Sequence, residues 1–196
     1  MDADTRATME GLNEALQQSG LTQAAFAAAL GTSASRFSTY RSGKTMPTAA
    51  FFLRAQRIAG SLRAARERGW MTPQLASKSI ASALDEGDEL WAYKMSLQAR
   101  DHLRELLATM PSLSGAWEAA PGTTGRIEWD VLLGALAAHE FELNGEESPR
   151  WTRHLELDHE WLLASPLLDD DEVRSETPQW LAQRGVFVSE RDLVTA

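Results

Sequence analysis

Residues Leu21–Pro47 read LTQAAFAAALGTSASRFSTYRSGKTMP, and the fold follows from how this stretch divides. Thr22 is placed to cap a short helix, Gln23–Leu30, whose inward residues are Phe26, Ala27 and Leu30. Gly31 ends it, because a tight reversal there would strain any residue with a Cβ. Ser33 then caps a second short helix, Ala34–Arg41, which buries Phe37 and Tyr40 and is closed by Gly43. Ala27 is small where the two helices approach closely, and Phe37 supplies the apolar anchor between them.

The flanking segments supply a scaffold. Met9, Leu12, Ala15 and Leu16 recur at spacings of three and four, which predicts an amphipathic helix over Asp4–Ser19 stopped by Gly20. Pro47 and Thr48 open a fourth helix with Phe51 or Phe52, Ala55, Ile58 and Leu62 on its inner stripe. Its other face carries Arg54, Arg57, Arg63, Arg66 and Arg68. Residues 31–70 hold eight basic side chains against the single acid Glu67, whereas residues 71–196 hold ten basic and 23 acidic ones. Such asymmetry fits a polyanion-facing head, residues 1–70, joined to an acidic body, residues 71–196, that holds all but the first of the tryptophans.

The body reads as helical throughout. Thr72-Pro73 starts a helix running to Glu86, and the next, about Asp88–Met110, carries Trp91, Met95, Ala99, Leu103, Leu106 and Met110 as one stripe. A helix over Ile127–Leu143 presents Trp129, Leu132, Leu133, Leu136 and Phe141. Ser148-Pro149 predicts a further helix through Leu163, and Thr177-Pro178 a short one through Arg184 ended by Gly185. Asp169–Glu172 is a solvated loop or an acidic helix start, Val186–Val188 is too short to assign as a strand, and Ser189 caps a final turn. An all-α chain is the expectation.

Two short helices across a tight turn, inside a helical scaffold, describe a helix-turn-helix, in which the second helix enters the major groove while the first crosses the backbone. Leu21-Thr22-Gln23, Ala27, Gly31 four residues later, Phe37, Gly43 and Pro47 together resemble the Xre family, the class that includes lambdoid phage repressors. The resemblance covers residues 5–70 and implies a five-helix DNA-binding domain that recognises double-stranded DNA as a homodimer and regulates transcription, most simply as an autorepressor. It implies that Gln23 contacts phosphate or buttresses the second helix. By the same resemblance Ser33, Ala34, Ser35 and Thr39 would occupy groove-facing positions of the second helix, and Arg36, Arg41 and Lys44 would be placed to meet phosphates or adjacent bases. Hydroxyls read bases less selectively than arginine reads guanine, so Arg36 is the best candidate for a single-base preference. The chain departs from the family at Arg41, where an acid is common, and at Thr32, where an apolar residue is usual.

Further patterns bear on the acidic body. A separate partner-binding body behind an Xre-like head resembles many bacterial antitoxins. Trp151-Thr152 and the run Pro178–Leu193 resemble proteins paired with nucleotidyltransferase-like toxins, so a cognate toxin is a second expected partner. His139-Glu140 opens a metalloprotease-like pattern, but Leu143 stands where a second histidine is required. His154 and His159, five apart, point in different directions on a helix and read as part of a solvated acidic surface. There are no cysteines, no glycine-rich phosphate loop and no nucleophile elbow, so neither an enzyme nor a bound metal or cofactor is expected. No apolar run approaches membrane-spanning length and the N-terminus lacks a secretory pattern, which makes a cytoplasmic protein the default.

Overall fold

The computed structural model describes residues 2–153, 155–165 and 167–194. Helices dominate, as expected of an all-α chain. Two compact units form: one joins the chain up to Pro73 with Glu105–Ala120, the other joins Gln74–Arg104 with the chain from Pro121 onward.

The first unit contains α1 (Ala3–Ser19), α2 (Gln23–Ala29), α3 (Ala34–Arg41) and α4 (Ala49–Glu67). Thr22, Ser33 and Thr48 open their helices as expected, and Asp2, two residues before the expected start of α1, does the same; each accepts a backbone N–H from the first helical turn. The core gathers Leu12 and Ala15 from α1, Phe26 and Ala27 from α2, Phe37 from α3, and Ala55, Ile58 and Leu62 from α4, all buried. A segment distant in sequence completes it. The 3-10 turn Pro111–Trp117 lies against α4, where a Cβ on Gly115 would stand 3.5 Å from the Ile58 Cα. Glu118 clamps the same helix through Arg54 at 2.7 Å and Arg57 at 2.5 Å.

The second unit is built around α7 (Ile127–Leu143), which is buried on nearly every side from Trp129 to Ala137 and so has no exposed polar face over that span. α5 (Pro73–Asp85) contributes Ala76, Ile80 and Leu84 to the interior. α6 (Glu89–Thr109) departs from the stripe expected of it. Ala92, Ser96, Ala99, Leu103 and Leu106 are buried, while Trp91 is 50% exposed. A series spaced by four drifts about 40° per step on a helix of 3.6 residues per turn, so Trp91 falls off the face that Leu103 occupies. Leu103 and Leu106 are covered within the chain.

The expected helix through Leu163 does not form. Among the described residues after the 3-10 turn Arg150–Thr152 the chain is irregular, with a bend at Asp158–His159, until β1 (Trp161–Leu162) pairs in parallel with β2 (Val186–Phe187), Trp161 opposite Val186. Leu157 N–H donates to the Arg184 carbonyl at 2.9 Å, Trp161 to Gly185 at 2.8 Å and Leu163 to Phe187 at 3.0 Å. Leu155-Glu156-Leu157-Asp158 alternates with the period of a strand, and this local pattern, answered by the later segment, overrides the helical spacing of the aromatics. Trp161 stacks edge-on against Trp129 of α7 with ring centres 5.2 Å apart. α8 (Asp170–Glu176) begins at a capping box of Asp169 and Glu172, and α9 (Gln179–Ala182) is shorter than the helix expected through Arg184. Ser189 caps a closing 3-10 turn, Glu190–Leu193.

Candidate nucleic-acid interface

The geometry of α2 and α3 follows from their caps and their shared aromatic anchor. Gly31 takes φ +73° between them, and Thr32 N–H donates to the Ala27 carbonyl at 2.9 Å. The Phe26 and Phe37 rings meet edge to face at 5.6 Å. Phe51 lies 6.4 Å from Phe37 and 5.0 Å from Tyr40, fixing the inner side of α3 against α2 and α4.

A polar lock holds α3 from the other side. Arg41 Nε donates to Asn13 Oδ1 of α1 at 2.7 Å, and its Nη1 donates to Gln23 Oε1 of α2 at 2.5 Å. The Gln23 Nε2 in turn donates to the Ala34 carbonyl, at the start of α3, at 3.1 Å. Of the two roles open to Gln23, both ends of its amide are therefore engaged in buttressing. Arg41 reaches inward as well, its guanidinium 5.9 Å from the Phe37 ring centre, so the residue that departs from the family pattern ties three helices together. Asn13 escaped the sequence reading. A polar, poorly helix-forming residue in the interior of α1 was the available signal.

The remaining candidate residues make the outer face. Ser33, Ser35 and Arg36 are exposed, as are Lys44 and, beyond those expected, Ser38 and Ser42; Ala34 and Thr39 are half-buried. Thr39 donates its hydroxyl to the Arg36 carbonyl at 2.8 Å, and the Ser33 and Ser35 hydroxyls lie 3.1 Å apart. Arg36 lies along its own helix with Nε donating to the Tyr40 hydroxyl at 2.8 Å, which orients the guanidinium and directs its other edge away from that partner. Lys44 follows α3, where its backbone N–H donates to the Thr39 carbonyl at 3.0 Å.

The arginine band of α4 serves a different purpose from the one its charge suggests. Arg54 and Arg57 bind Glu118, and Arg66 donates to the Ser19 carbonyl at 2.5 Å and to that of Gln18, capping the end of α1. Arg63 faces Glu67 at 3.7 Å, and Arg68 lies 5.7 Å from the Trp70 ring centre. Much of the positive charge of residues 31–70 is thus committed within the unit, leaving Arg36 and Lys44 as the outward cations beside α3.

His139 stacks on Trp180 with ring centres 4.1 Å apart, and burial holds its imidazole below the usual value. Glu140 is buried and receives two bonds from Arg104, at 3.1 and 2.7 Å. His159 bonds Asp158 at 2.8 Å, which raises its imidazole, and lies 3.6 Å from Glu128. His154 lies outside the described residues. Among the described residues no three metal-ligating side chains converge, and no helix is long and apolar enough to cross a membrane. Comparison with protein-family models, with curated proteins and with solved structures returned no match.

Proposed function

We propose that the chain is a cytoplasmic, sequence-specific double-stranded DNA-binding protein of the Xre type. It acts as a homodimer and regulates transcription, with α3 as the helix that enters the major groove. The observation that carries this reading is the division of α3 into two sides. One is locked to α1, α2 and α4 through Phe37, Tyr40 and Arg41; the other presents Ser35, Arg36 and Ser38 outward between the hydroxyl of Ser33 and the ammonium of Lys44. A locked back and a small polar front suit a helix that must fit a groove without deforming. Hydroxyls and Arg36 supply contacts to bases, Lys44 a contact to phosphate, and sequence-dependent DNA shape the remaining selectivity.

The test is a mobility shift of the duplex upstream of the coding region, titrated with salt. Binding should weaken linearly in log salt, and Lys44→Ala should reduce the slope by about one unit while lowering affinity on all sequences. Arg36→Ala should relax preference at one base pair, worth about 1–3 kcal/mol. The absence of a shift at low salt, or a shift indifferent to both changes, would sink the proposal. A second reading, an antitoxin that also holds a toxin, is favoured by the excess of acids in the second unit. A toxin gene in the same operon, lethal alone and tolerated with this chain, would support it; a lone gene would count against it.

A further inference from the structure

In the second unit a groove of about 330 Å³ opens beside α6. Leu90 and Tyr93 of α6 form one wall, Leu163 and Ala164 just beyond β1 form another, and Val188 beyond β2 forms the floor. The Tyr93 hydroxyl donates to the Asp192 carbonyl at 2.7 Å, so its polar end is satisfied, and its largely buried ring lines the groove with carbon. Leu90 is 65% exposed at the mouth and Trp91 beside it 50% exposed, large apolar side chains that folding leaves uncovered. The rim is acidic. Glu89 and Asp192 line the groove itself, and the exposed acids Asp85, Glu86 and Asp88 lie in the turn that leads from the end of α5 into α6. Against these stand Arg126, bound to Glu89 at 2.7 Å, and Lys94 one turn further along α6. The unit as a whole holds ten basic and 21 acidic residues.

We infer that this groove docks a cationic segment of another protein, one that inserts an apolar side chain between Leu90 and Ala164 while its lysines or arginines meet the acidic rim. A second copy of this unit would bring the same acids face to face, and a nucleic acid would be repelled by them. The inference stands whether or not α3 binds DNA.

The probe is a short synthetic peptide of leucine and lysine, compared with the same peptide carrying glutamate for lysine, by fluorescence anisotropy on the full chain. The lysine peptide should bind, more weakly as salt rises, and the glutamate peptide should not. Leu90→Glu is decisive because it adds a rim charge while removing the apolar mouth. Docking in the groove predicts about tenfold weaker binding, the effect of losing one buried anchor. Attraction by net charge alone predicts equal or tighter binding and would overturn the inference. Ala164→Trp, which fills the groove from an exposed position, should weaken binding by a similar factor, with circular dichroism checking that the helices persist. Equal binding of both peptides, or self-association of the chain that Leu90→Glu abolishes, would also overturn it.

Discussion

Replacing Gly185 with alanine tests whether the strand pairing found here is specified by close backbone approach. Gly185 has φ +76°, and a Cβ there would lie 2.7 Å from the His159 carbonyl oxygen and 3.0 Å from the Leu157 Cβ. Gly87 has the same φ of +76°, with nothing within 4 Å of its would-be Cβ, and so serves as a matched control. The left-handed conformation costs an L-residue roughly 1–2 kcal/mol, offset by about 0.4–1 kcal/mol because alanine restricts the unfolded chain. Gly87→Ala should therefore cost about 1 kcal/mol. At Gly185 the obstructing atom belongs to the main chain, so the two segments must separate. That loosens the bonds Leu157 to Arg184 and Trp161 to Gly185, each worth about 1 kcal/mol. The expected total is roughly 3 kcal/mol, and the difference of about 2 kcal/mol corresponds to roughly 4–8 °C in Tm for a chain of this size. Urea denaturation followed by tryptophan fluorescence measures both. Losses equal within about 0.5 kcal/mol would refute the steric argument.

Asn13→Ala and Arg41→Ala, alone and together, should show a coupling of about 1 kcal/mol in a denaturation cycle, the value for a charged hydrogen bond discounted for partial exposure. Additive losses would mean that the lock on α3 contributes nothing. The two described histidines with shifted imidazoles should titrate on opposite sides of the ordinary value of about 6.5 when followed by NMR. Burial lowers His139, so its contribution to stability is present above that value and is lost as pH falls through its folded pKa. The hydrogen bond to Asp158 raises His159, so its contribution is present at low pH and is lost as pH rises through its folded pKa. His139 titrating above His159 would reverse both assignments.

What the sequence made legible is local. Thr22, Ser33 and Thr48 announce helix starts because a cap is a contact between residues two or three apart, and Gly31 announces a turn through its own φ. The placement of Phe37 at the heart of the α2–α3 contact followed from the same short-range spacing. What was not legible depends on partners distant in the chain. Glu118 neutralises Arg54 and Arg57 across some sixty residues, so a band that reads as surface charge becomes a clamp. The alternation of Leu155–Asp158 hints at a non-helical segment, but the backbone of Leu157, Trp161 and Leu163 finds its partners only because Arg184–Phe187 is there to accept from it. For the candidate interface, the positions of Ser35, Arg36 and Lys44 were readable, but the inward turn of Gln23 and Arg41 depended on Asn13 in another helix.

The return of residues 105–120 to α4 has a consequence for how the protein is made. A ribosome delivers α1 to α4 first, yet the turn that covers Ile58 and the carboxylate that quiets Arg54 and Arg57 emerge only after the whole of α5 and α6. The head is therefore unfinished while the first segment of the second unit, Gln74–Arg104, has already been made. Its maturation is timed by translation of a segment that takes no part in the surface α3 presents. A nascent chain stalled short of Glu118 would carry all of α3 on a scaffold whose α4 flank is still bare.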